Sequence, residues 1–195
     1  LPAASPSPPA EPRPGGPHQP AAPQAGGPHS LLVTASCRVA SLPLPQAQLE
    51  VEQLATKART TVHELPTLAH VRAALPGAKT WWYAGLTDSD GMLVFAGHGG
   101  EPQPASVDEV VGMVREAAQE QLRFVVLNAA NTLALGEALA EQARVQAVVC
   151  WETIAHDGAS SIFARAFWGA VAAGQPLEPA FKAAKAAVTK ENFVL

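Results

Sequence analysis

The chain is short of most residues that mark a dedicated chemistry. Its 195 residues include two cysteines, Cys37 and Cys150. That is no disulfide framework, and it points to a reducing, intracellular compartment. No apolar run approaches the roughly 18 residues of a membrane span. Charged residues make up 15% of the chain, the net charge is −4, and no basic cluster is present. This speaks against a nucleic-acid partner. There is no GxGxxG fingerprint and no CxxC pair, and Gly97-His-Gly-Gly100 lacks the Lys-Ser/Thr step of a phosphate loop. His98 and Glu101 have no further metal-ligating residues near them in sequence. Neither a metal nor a cofactor is expected. The first residues hold no initiator Met and no signal-type apolar core, so a processed chain or a piece of a longer one is expected.

What is present divides in two. Residues 1–29 contain ten of the 18 prolines, four glycines and only two charged residues, Glu11 and Arg13. Such a stretch buries too little apolar area to offset its ordering entropy. It reads as an extended, polyproline-like arm or linker, suited to lying along a partner protein. Residues 30–195 suit one ordinary domain, and an apolar content of 48% supports a sizeable core.

Strand and helix signals alternate through that domain. Leu31–Ser36 is a short apolar run, read as a strand. Ala47, Val51, Leu54 and Ala58 fall on one helical face. Residues 60–65 read as a second strand, and Leu68, Val71 and Leu75 mark a helix stopped by Pro76-Gly77. Residues 79–84 read as a third strand, ending at Gly85-Leu86. Two closely spaced turns, 87–91 and 97–100, flank Met92–Ala96 and predict a β-hairpin hung off the sheet. Ser106 and Glu109 form a capping box opening a helix with Val107, Val110, Val111 and Val114 on one face. Phe124–Leu127 is a strand, Leu133–Gln142 a helix and Val145–Cys150 a fifth strand. Asp157 reads as the N-cap of a helix ended by Gly174, and a last helix runs from Leu177 to Lys190. The alternation predicts an α/β fold: a mostly parallel sheet, helices on both faces, all strand carboxyl ends on one rim. Trp81 and Trp82 point to opposite faces of one strand, leaving one of them free to be exposed. With Trp168 these are too many large aromatics for chance exposure, and Trp151, just past the fifth strand on the rim, is read mainly as packing against a helix.

Several segments in this order carry a resemblance: Leu75-Pro-Gly-Ala78, Tyr83-Ala-Gly85, Val125-Val-Leu-Asn-Ala129, Asn131-Thr132, Leu135-Gly-Glu-Ala-Leu139, and Val148-Val-Cys-Trp151 followed by Asp157-Gly-Ala159. Over residues 31–190 the chain resembles the CHAT branch of the caspase–separase clan. The resemblance implies a caspase-like three-layer sandwich with a small hairpin. It also implies cysteine-peptidase ancestry, in which a Cys after the fourth strand attacks the scissile carbonyl. A His after the third strand lowers the thiol pKa and protonates the leaving amine.

Carried over residue by residue, the Cys position falls on Ala130. The His position falls on Leu86 by strand and turn order. His98, in its Gly-rich loop, is the alternative. Without a nucleophile the rate loss is on the order of 10⁶. The expectation is therefore a pseudo-peptidase acting as an interaction or scaffolding module in a larger assembly. It would engage protein partners through residues 1–29 and the groove rim, with Asp88, Trp151 and Asp157 as groove candidates. The alternative is a CHAT-type cysteine endopeptidase whose nucleophile was replaced at Ala130, with His98 as base. A weaker third reading is a flavodoxin-type small-molecule binder. Asp88 and Asp90 also read as solvated turn residues, and Cys150 and Cys37 as packing thiols.

Overall fold

The computed structural model describes residues 31–36, 44–56, 60–153 and 156–191. The Pro-rich arm, Cys37 and Ala58 lie outside them. Leu31–Ser36 (β1) is buried along its whole length. A strand with no polar alternation needs cover on both faces, and β1 has it. The sheet order is β2-β1-β3-β6-β7, all parallel, with β2 at Thr60–Glu64, β3 at Thr80–Gly85, β6 at Phe124–Asn128 and β7 at Ala147–Val149. The fifth strand is shorter than the apolar run that predicts it. Gln146 and Ala147 first bond to the Arg123 carbonyl, and the ladder then runs only to Val149.

Helices cover both faces. Pro45–Ala55 (α1), Asp157–Ala172 (α5) and Leu177–Lys190 (α6) pack on Leu31, Val33, Trp82, Ala84 and Val126. Leu68–Ala74 (α2), Val107–Glu120 (α3) and Leu133–Gln142 (α4) pack on Leu32, Trp81, Tyr83, Val125 and Leu127. The result is a three-layer α/β sandwich with two cores separated by the sheet. Alternation along β3 sends Trp81 and Tyr83 to one core and Trp82 and Ala84 to the other. Both tryptophans are fully buried, so neither is the exposed one that the alternation left room for. Each indole has a polar partner: Trp81 Nε1 donates to Thr34 Oγ1 at 2.9 Å, and Trp82 Nε1 to Glu50 at 2.6 Å. Those hydrogen bonds remove the main cost of burial.

The predicted hairpin forms as β4 (Val94–Ala96) and β5 (Pro102–Pro104), an antiparallel pair outside the main sheet. The capping box is complete: Ser106 Oγ accepts from Glu109 N, and the Glu109 carboxylate accepts from Ser106 N. The Ser106 hydroxyl, donating to the same carboxylate at 2.8 Å, and then the Ser106 amide hold the Glu109 carboxyl below its usual pKa. One cap differs from expectation. His156, not Asp157, caps α5, with Nδ1 accepting from Gly158 N at 3.1 Å. Asp157 crosses to α1 instead: its two oxygens accept from Gln46 N (3.0 Å) and Ala47 N (3.1 Å). The α1 sequence starts with Pro45 and has no acid in its first turn, so its free amides take a carboxylate from a neighbouring helix.

Candidate functional site

Parallel strands with right-handed crossovers put every strand's carboxyl end on one rim, and crevices open where neighbouring connections leave for opposite faces. One such place separates β1, followed by α1, from β3. Another separates β6, followed by α4, from β7, followed by α5.

The two sequence positions in question lie on neighbouring strands. Ala84 of β3 pairs with Asn128 of β6. Leu86 and Ala130 each lie two residues further on, so they leave the sheet at one level on adjacent strands. Both are half-buried. Thr87 Oγ1 donates to the Ala130 carbonyl at 2.9 Å, tying the two loops together. Gly91, at φ +78, backs onto the next residue: a Cβ there would collide with the Asn131 carbonyl. Asn131 itself has φ 52, and its amide donates to Thr153 O at 3.0 Å. Thr132 Oγ1 accepts from Trp151 N at 3.1 Å and lies 3.1 Å from the Ala129 carbonyl. Hydrogen bonds thus bridge the β6/β7 crevice from side to side.

His98 is exposed in the turn between β4 and β5. The base of that turn is anchored by Ala96 N, which donates to Pro66 O at 3.0 Å. Pro66 follows β2, which is three strands from β6. The same hairpin strand also reaches β3: Val94 N donates to Leu86 O at 3.1 Å, and Leu86 packs against Val94 and Ala96.

The remaining candidates make contacts within the domain. Asp88 Oδ1 accepts from Asp90 N (3.0 Å) and Met92 N (2.9 Å), an Asx turn that closes the loop after β3. Asp157 caps α1, as described. Trp151 is half-buried, its ring 5.7 Å from that of Phe163 in an edge-to-face arrangement. Its Nε1 donates to Asn128 Oδ1 at 2.7 Å. Burial first, and nearby Glu137 second, push the Cys150 thiol above its ordinary pKa. It is therefore no thiolate at neutral pH. Its sulfur packs against the Gly136 backbone.

The most unusual group at this end of the sheet is Glu50, which the apolar pattern passes over. It lies on α1 between Ala47 and Val51, inside the buried stripe, and is 1% exposed. Its oxygens accept from Trp82 Nε1 at 2.6 Å and Asn128 Nδ2 at 2.8 Å. Asn128 Nδ2 also donates to Ser160 O at 3.2 Å. One buried network thus joins α1, β3, β6, α5 and the rim residue Trp151. Burial dominates the Glu50 carboxyl and raises its pKa to about 8, against the lowering effect of its two hydrogen bonds; the Asp157 charge adds to the rise. Glu50 is largely protonated at neutral pH. The available signal was an acid within a helical apolar stripe.

Chemically, the rim presents no nucleophile at Ala130 and no base at Leu86. Among the described residues no group of three or more His, Cys, Asp or Glu is placed to hold a metal ion, and no helix is long and apolar enough to cross a membrane. Neither the protein-family models nor the curated proteins contain a match to this chain.

Proposed function

We propose that this chain is a caspase-like, CHAT-type pseudo-peptidase domain that serves as an interaction or scaffolding module in a larger protein assembly. The observation that carries the reading is the level pairing of Leu86 and Ala130 on β3 and β6. These are the two rim positions where a dyad would have to meet, and neither side chain can donate, accept or attack. The Thr87–Ala130 hydrogen bond and the packing of Gly91 on Asn131 support it further, because they join the loops that a substrate would have to part. His98 is exposed in the turn between β4 and β5, which weighs against a peptidase using it as base. The half-buried Trp151 on the rim is the natural anchor for a protein partner, since aromatic residues at a rim bury much area at little entropy cost. Residues 1–29 offer a second contact.

The test restores the missing groups. Ala130→Cys alone should give a thiol of ordinary reactivity. Ala130→Cys with Leu86→His should react faster with iodoacetamide at pH 6–7, because a neighbouring imidazolium lowers the thiol pKa. A single Ala130→Cys variant whose labelling is already fast, and slows on adding His98→Ala, would defeat the reading in favour of a peptidase.

A further inference from the structure

We propose that the Pro-rich arm docks on its own domain, with Pro20–Pro28 seated in the apolar cavity at the amino rim of the sheet. That cavity, about 290 Å³, is walled by Thr80, Phe124, Val149, Phe167, Trp168 and Leu177 among others. It lies at the opposite end of the strands from Leu86 and Ala130.

Position supplies the first argument. The described chain enters the sheet at Leu31, which pairs with Thr80, and Thr80 lines the cavity. Leu31, the first described residue, is therefore paired with a residue of the cavity wall. Gly26 and Gly27 supply the freedom to turn back towards it. Reach is ample: eleven residues of polyproline helix cover roughly 34 Å, whereas five strands side by side span only about 20–25 Å.

Chemistry supplies the second. Residues 20–28 read Pro-Ala-Ala-Pro-Gln-Ala-Gly-Gly-Pro and carry no charge. Such a segment enters an apolar cavity without stranding an ion. A larger cavity of about 550 Å³ between α1 and α5 shares Trp168 as a wall but is otherwise lined by Glu52, Gln53, Thr56 and Arg165, so it suits this uncharged segment less. Aromatic-lined grooves take polyproline segments well because little conformational entropy remains to be lost.

The third argument is a missing acceptor. Trp168 is 6% exposed, and its indole Nε1 has no hydrogen-bond partner among the described residues. Such an orphan is uncommon in a core. A polyproline backbone has no internal hydrogen bonds, so its carbonyls are free to accept. A carbonyl seated beside Trp168 would satisfy the indole. A partner that recruits the arm would then first have to lift it from this cavity.

The test uses the full chain with a benzophenone amino acid in place of Gln175, an exposed residue on the cavity lip. Irradiation should give a cross-link within one chain that maps to residues 20–28. Pro20→Asp with Pro23→Asp should cut its yield at least about tenfold, because seating carboxylates in an apolar cavity is costly. These changes lie outside the folded core, so the far-UV spectrum should not move. The proposal is overturned by cross-links that map only elsewhere, by cross-links between two chains, or by an aspartate variant that links as well as its parent.

Discussion

Replacing Glu50 with Gln tests the buried network directly, because the change keeps shape and removes one proton equilibrium. In the native protein the carboxyl titrates near 8, raised from 4.5. Between those values the unfolded chain releases this proton and the folded chain keeps it. The folded state then binds more protons, so stability falls as pH rises, at most by about 1.4 kcal/mol per pH unit from this group. An amide has no such slope. It does have a geometric fault: two donors, Trp82 Nε1 and Asn128 Nδ2, converge on the two Glu50 oxygens. A glutamine offers one oxygen and one NH₂, so one donor meets another donor. Asn128 cannot turn its amide over to resolve this without losing its acceptor bond from Trp151. An unsatisfied buried donor costs about 1–3 kcal/mol. Glu50→Gln should therefore be less stable than the native chain near pH 5, and the two should converge or cross by pH 8. Urea unfolding followed by tryptophan fluorescence at pH 5, 6.5 and 8 measures this. Every other ionisable side chain is common to the two proteins, so the difference between the two curves isolates Glu50. Parallel curves with no change in their separation would refute the account.

Three more outcomes follow from individual contacts. Gly136→Ala should destabilise by about 1–3 kcal/mol in thermal unfolding despite alanine's better helix propensity. The added Cβ would lie 2.5 Å from Cys150 Sγ, and Cys150→Ala should restore most of the loss. Gly91→Ala should cost about 2 kcal/mol or more by denaturant titration, since it combines φ +78 with a collision at the Asn131 carbonyl. Asp157→Asn should weaken the cap on α1 by about 1 kcal/mol. It should also shift the Glu50-linked fall in stability to lower pH, because the Asp157 charge helps to raise the Glu50 pKa.

The local sequence was enough for much of the architecture. Period-2 and period-3.6 apolar patterns, Pro76-Gly77, Gly174 and the Ser106/Glu109 pair predict the order of strands and helices, the hairpin and a mostly parallel sheet. Each of those signals acts within a few residues. The same patterns misjudged features whose partners lie far along the chain. Asp157 has the chemistry of an N-cap, but the amides it caps belong to a helix more than a hundred residues earlier. The exposure left open for Trp81 or Trp82 closed because Thr34 and Glu50 answer their indole donors from two different layers.

The site divides in the same way. That Ala130 and Leu86 lack reactive atoms is a property of the sequence alone. That they stand at one level on neighbouring strands is decided by sheet order and register, which no local pattern encodes. Glu50 shows the limit most plainly. Its residue type was visible throughout, but only the packed interior removes it from water, sets two donors against it and holds its proton at neutral pH.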